Sequence, residues 1–232
     1  MAEYSLLLTV SGGLLKNNNL KGFRGFTLAE VLITLVIIGV IAAMTIPTLI
    51  NKTNNQELVS RLKKTYSTMA QATQRIIAEE GQPRADIGGW ATSNEAVFNM
   101  YKKYLSKAKE CSGRYSGCLS EPYKALDGSP RTFDSVNKFA LVMADGAEIY
   151  IADAVSEDCS SSYNGVNGSC QAIIVDVNGG KKPNTLGRDT FKFALKENGL
   201  VPVGCDTSVD ICTASGGWGC ACKVLREGAM NY

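Results

Sequence analysis

Residues 26–50 read FTLAEVLITLVIIGVIAAMTIPTLI, and Glu30 is the only charge in these 25 positions. About 20 predominantly apolar residues cross a hydrocarbon core as a helix, so the stretch is long enough to span a membrane. Lys21 and Arg24 stand just before it and favour a cytoplasmic leader. A secretory signal peptide reads the same residues differently, with Val31–Ile41 as its apolar region and cleavage near Val40-Ile41-Ala42. A signal is discarded, whereas an anchor stays.

Three features favour the anchor. Glu30 lies inside the apolar run, where a carboxylate costs roughly 2.5–3.5 kcal/mol on insertion scales. A discarded segment has no use for such a charge, so a partner charge is implied. Gly25 before Phe26 places a small residue where the basic leader meets the apolar run. The helical pattern then continues past the membrane-length stretch. Leu58, Leu62, Tyr66, Met69, Thr73 and Ile76 recur at steps of three and four, with Lys52, Glu57, Arg61, Lys63, Lys64 and Arg75 on other faces. Gly81-Gln82-Pro83 ends the helix after Glu80.

Beyond that break, Asn94–Glu110 has helical composition, and then the period changes. Lys138–Met143 and Ala147–Ala152 read as strands around Asp145-Gly146. Ala172–Val177, Phe191–Leu195 and Leu200–Val203 follow as further strands. Strands following helices indicate an α+β protein whose antiparallel sheet packs on the long helix.

Composition narrows the chemistry. With 232 residues, the chain suits one ordinary domain plus an anchoring segment. It has 24 basic and 22 acidic residues, and 21 of each remain once the segment before residue 26 is set aside. No basic field for nucleic acid exists. Histidine is absent, which excludes Ser-His-Asp triads, Cys-His pairs and His-bearing zinc sites. No GxSxG, GxxxxGK[ST] or GxGxxG occurs either, and nothing points to an enzyme.

Eight cysteines, Cys111, Cys118, Cys159, Cys170, Cys205, Cys212, Cys220 and Cys222, all lie from residue 111 onward. An even count at short spacings, without CxxC pairs, reads as disulfides formed after export. Cys111 with Cys118 and Cys159 with Cys170 bracket Gly/Ser-rich loops, whereas the last four admit three pairings. Cys220-Ala-Cys222 as a tethered redox pair is a weaker, enzymatic reading. Asp176, Asn178 and Asp189 lie on a Gly-rich segment and offer hard oxygens of the kind calcium takes. Plain turn chemistry explains the same residues, with Asp and Asn capping backbone donors.

Gly25-Phe26-Thr27-Leu28-Ala29-Glu30 and the apolar run resemble the cleavage and methylation motif of type IV pilins and type II secretion pseudopilins. The resemblance is specific over residues 21–50. It implies a leader, 1–25, removed by prepilin peptidase between Gly25 and Phe26, with Phe26 then N-methylated. It implies that Glu30 pairs with the N-terminal amine of a neighbouring subunit, an ion pair that offsets the desolvation of both charges. Pro47 stands where family members often carry a helix-loosening proline. The leader is longer and more apolar than is usual in the family.

The resulting organisation is a transmembrane and assembly half of the helix at 26–50, an amphipathic half at 51–80 and an α+β, pilin-like head at 81–232 with a disulfide-rich C-terminal region. The family implies a structural filament subunit of a type IV pilus or type II secretion pseudopilus, needing no cofactor. Its partners are other pilin or pseudopilin subunits, the peptidase, an inner-membrane assembly platform and membrane lipid. Its location is the bacterial inner membrane, single-pass with the head exported, and then a filament. Major pseudopilins bind calcium in a loop near their C-terminal strands, so 176–189 looks like a relative of that site. The alternative role is a low-abundance tip or minor pilin that binds a surface, DNA or an exported substrate.

Overall fold

The computed structural model describes residues 25–111, 122–133, 139–152, 155–205, 210–213 and 216–232. Helix α1 runs Leu28–Glu80 over 53 residues. It stops at Gly81, which sits at φ 88° and donates its N–H to the Ile77 carbonyl at 3.1 Å. Glycine carries that left-handed closure without a Cβ penalty. Contacts divide the chain into two units, with the boundary after Pro47. In the second unit, α1 buries one stripe: Leu58, Val59, Leu62, Thr65, Met69, Ala72, Thr73 and Ile76. These positions repeat every three or four residues, as one face of a 3.6-residue helix must.

After a 3-10 turn at Ala85–Ile87 come α2 (Asn94–Tyr104), β1 (Lys107–Cys111), β2 (Tyr123–Lys124), β3 (Pro130–Arg131), β4 (Phe139–Met143) and β5 (Glu148–Ala152). They are followed by β6 (Ser161–Tyr163), β7 (Val166–Asp176), β8 (Thr190–Lys196), β9 (Gly199–Pro202) and α3 (Cys220–Glu227). Seven strands make one sheet in the order β1-β4-β5-β7-β8-β9, with β6 also on β7. Every pairing in it is antiparallel. The long helix on an antiparallel sheet is the α+β arrangement expected.

Alternation along the strands serves two cores. Leu141, Ile149, Ile151, Ile173, Val175, Phe191, Phe193 and Leu195 join the α1 stripe and α2. Tyr66 stacks on Phe193 with centroids 5.5 Å apart, and Thr73 shares a 2.7 Å hydrogen bond with the buried Tyr101 hydroxyl of α2. Ala140, Tyr150 and Ile174 point the other way and meet Tyr123, Ala125, Phe133 and Leu186. Burial on both faces explains why Ala172–Val175 is a continuous apolar run with no alternation.

Three local expectations change. The helix expected over 94–110 ends at Tyr104, because Leu105 turns extended (φ −102°, ψ 140°). The next residues form β1 instead, with Glu110 opposite Leu141 and Cys111 opposite Ala140. The segment between Cys159 and Cys170 is a β-hairpin more than a loop. Asn164 and Gly165 at φ 47° and 85° turn β6 into β7, the pair of positive angles that suits a strand twist. Finally, α3 lies where no helical period is visible in the sequence.

Cys159 is bonded to Cys170, Cys205 to Cys222 and Cys212 to Cys220. The last two bridges nest, and both end on α3, so Cys220 and Cys222 are not partners of each other. Cys111 is also disulfide-bonded, and its expected partner Cys118 lies outside the described residues. Each crosslink removes unfolded-state freedom worth on the order of 3 kcal/mol.

Leu62 is fully buried between α1 and the sheet. Leu62→Ala should destabilise the head by about 2–5 kcal/mol, read as a lower urea midpoint at unchanged slope.

Candidate functional site

The segment that resembles the filament motif begins with a reciprocal cap. Thr27 accepts the Glu30 N–H on its hydroxyl at 3.2 Å. Glu30 Oε2 in turn accepts the Thr27 N–H and the Thr27 hydroxyl, each at 2.8 Å. This Thr-x-x-Glu arrangement satisfies helix-start donors that have no partner within the helix. The Thr27 spacing was readable in the sequence but was not singled out there. Glu30 is thereby held at the mouth of the helix, its carboxylate directed back toward the chain entry. Gly25 precedes the helix, and a Cβ there would meet nothing within 4 Å. Packing does not require glycine at this position.

From Leu28 to Ile50 the helix exposes every side chain except the half-buried Ala42. Its first part is long and apolar enough to cross a membrane, and none of that apolar window is buried. Its hydroxyls are satisfied internally: Thr34 donates to the Val31 carbonyl at 2.9 Å and Thr45 to the Ile41 carbonyl at 3.0 Å. Such back-bonding lets threonine sit in an apolar medium without an external partner. Pro47 lies inside α1 and has no N–H to give the Ala43 carbonyl.

Asp176, Asn178 and Asp189 are brought to one turn between β7 and β8. Asp176 Oδ1 accepts the Asn178 and Gly179 amides at 3.1 and 2.9 Å, and Oδ2 accepts the Tyr123 hydroxyl at 3.1 Å. Asp189 accepts the Asn184 and Thr185 amides, both at 2.6 Å. Gly179 is needed in this turn: it sits at φ 58°, and a Cβ would come within 2.4 Å of the Gly146 carbonyl oxygen. Both carboxylates are fully buried and serve as turn caps. Among the described residues, no group of three or more His, Cys, Asp or Glu side chains gathers to hold a metal. Each carboxylate oxygen already accepts at least one hydrogen bond.

Burial pushes the Asp176 carboxyl up to about 8, aided by the charge of Asp189, and it raises Asp189 as well. The network behind them escaped the sequence reading. Tyr123 and Tyr150 share a 2.6 Å hydrogen bond, and Tyr150 donates to Glu148 at 2.8 Å. Burial raises both phenols. These groups are spread along the sequence: pairing of β5 with β7 sets Glu148 opposite Asp176, and packing on the far face of the sheet adds Tyr123.

A model described as a family of unknown function (DUF6613) matches residues 48–201, well over half the chain. The prokaryotic N-terminal methylation motif matches residues 20–46. No curated protein and no solved structure matches. The chain belongs to the family DUF6613, and its N-terminal segment places it with the type IV pilins and pseudopilins.

Two outcomes follow for the β7–β8 turn. Folded Asp176 keeps its proton to about pH 8, against an ordinary value of 3.8. The stability it contributes is therefore complete below its unfolded value and is lost as pH rises through its folded one. With no histidine in the chain, urea midpoints should fall from pH 5 to pH 8, and Asp176→Asn should make that decline shallower. If the two buried carboxylates serve only as turn caps, melting in calcium and in chelator should coincide; a rise that tracks free calcium would show an ion site instead.

Proposed function

We propose that this chain is a structural subunit of a type IV pilus-like or pseudopilus filament, anchored in the membrane until it assembles. One observation carries the reading: a single carboxylate, Glu30, capped at the start of a helix whose following apolar window is left exposed. The head buries one apolar stripe of its own stretch of α1 in a core formed without the apolar half. In a bilayer it is solvated by lipid; in a filament, by the same halves of neighbouring subunits. Non-directional apolar contact can hold such helices together but does not fix their stagger. A buried charge with one obligatory partner does, much as a polar residue sets register in a coiled coil.

The partner in this proposal is the amine exposed when prepilin peptidase cuts between Gly25 and Phe26. The cap at Thr27 matters before assembly, because it gives the Glu30 oxygen hydrogen bonds while the subunit waits in the membrane. Exchange of those bonds for the amine of a neighbour is then a substitution of partners and not a bare desolvation. The reading makes the chain a building block with no catalytic task.

Glu30→Ala should still insert and still be cleaved, since removing a charge does not oppose membrane insertion. Filament yield should nevertheless collapse. Wild-type amounts of filament from this variant would contradict the role given to Glu30, and Glu30→Asp, which keeps the charge on a shorter arm, should recover only part of the yield.

A further inference from the structure

A cleft of about 420 Å³ opens between the start of the head's share of α1 and the turn between β7 and β8. Asn51, Asn54 and Asn55 line it from the helix, and Lys181, Lys182 and Arg188 line it from the turn. Charge in this turn is sorted by depth. Its two acids, Asp176 and Asp189, are fully buried and bonded to backbone amides. Its three bases are all exposed. Among the described residues none of the three is ion-paired with a carboxylate. Glu57, the one acid on the cleft wall, is held by Arg61 at 2.9 Å. What faces the opening is therefore three free cations and the side-chain amides of asparagine, a lining suited to an oxyanion.

Position on the helix identifies the source of the anion. Asn51 is the first residue after the apolar run that ends at Ile50. From Asn51 to Leu58, the last helical residue on the cleft wall, α1 rises about 10 Å. The polar headgroup layer of a bilayer is about 5–8 Å thick on each side. A helix buried to Ile50 holds this cleft at headgroup depth. We propose that the cleft binds the phosphate of an anionic phospholipid while the subunit is in the membrane. This rests on the anchoring reading above. The bound lipid steadies the head at the bilayer surface, and leaving the membrane for a filament requires its release.

The test uses the full chain in nanodiscs of phosphatidylcholine alone and of phosphatidylcholine mixed with phosphatidylglycerol, with retained lipids counted by native mass spectrometry. The wild-type protein should insert in both and retain phosphatidylglycerol preferentially. Each cation near an anionic surface is worth roughly a fivefold change. The variant Lys181→Gln, Lys182→Gln, Arg188→Gln should thus lose about tenfold or more of the preference. Arg226→Gln, an exposed base on α3, should leave it unchanged. Equal retention of the two lipids, or an undiminished preference in the triple variant, overturns the inference. Displacement of phosphatidylglycerol by millimolar inorganic phosphate would show a site for free phosphate and also overturn it. Failure to insert into phosphatidylcholine discs would bring down the anchoring reading itself, and this inference with it.

Discussion

The structure depends on one contact, the seating of a single stripe of α1 on the sheet. Leu62, Met69 and Ile76 are fully excluded from solvent there, and Tyr66 lies flat against Phe193. This burial orients the helix about its own axis and fixes which strand residues face inward. It draws in α2 through the Thr73–Tyr101 hydrogen bond. Burial of apolar surface is the main favourable term in folding, and here it is concentrated on the half of α1 that follows the membrane-length stretch. None of the apolar window in the other half is buried among the described residues. That asymmetry along one helix is the physical basis for reading the molecule as a unit of an assembly.

The head has a second layer that the helix does not touch. Tyr123, Phe133, Leu186 and Trp218 cover the far face of the central strands. Behind them, Asp176, Glu148, Tyr123 and Tyr150 form a buried polar network. Two nested disulfides hold α3, whose N-cap Gly219 supplies no side-chain hydrogen bond. An eight-residue helix is marginal by itself, and covalent links supply what its sequence does not. The buried residues of α3, Cys220, Ala221 and Val224, join the core on the α1 side of the sheet.

Much of this was legible from residues alone. The α1 stripe, the turn at Gly81 and the strands around Asp145-Gly146 follow from period and turn chemistry, both of which are local. The hairpin at Asn164-Gly165 carried its signal too, but the flanking cysteines drew that segment into the reading of a loop. What stayed hidden depends on distant partners. Residues 107–111 continue a helical composition and become a strand only because β4 offers an edge. The Tyr123–Tyr150 pair has no sequence signature. The Asp176 and Asp189 carboxylates were visible as oxygen donors, but not their capture by four backbone amides, which only the folded turn reveals. At the N-terminus the motif itself was evident, whereas the cap between Thr27 and Glu30 required the helix start to be placed.

Anchor and filament both require that residues 26–50 stay with the chain, and the mass and N-terminal sequence of the mature protein from isolated membranes test that directly. The mature chain should begin at Phe26 and carry one methyl group. A chain beginning at Ala43 would mean that the apolar run is an ordinary signal peptide, and would contradict both the anchor and the filament.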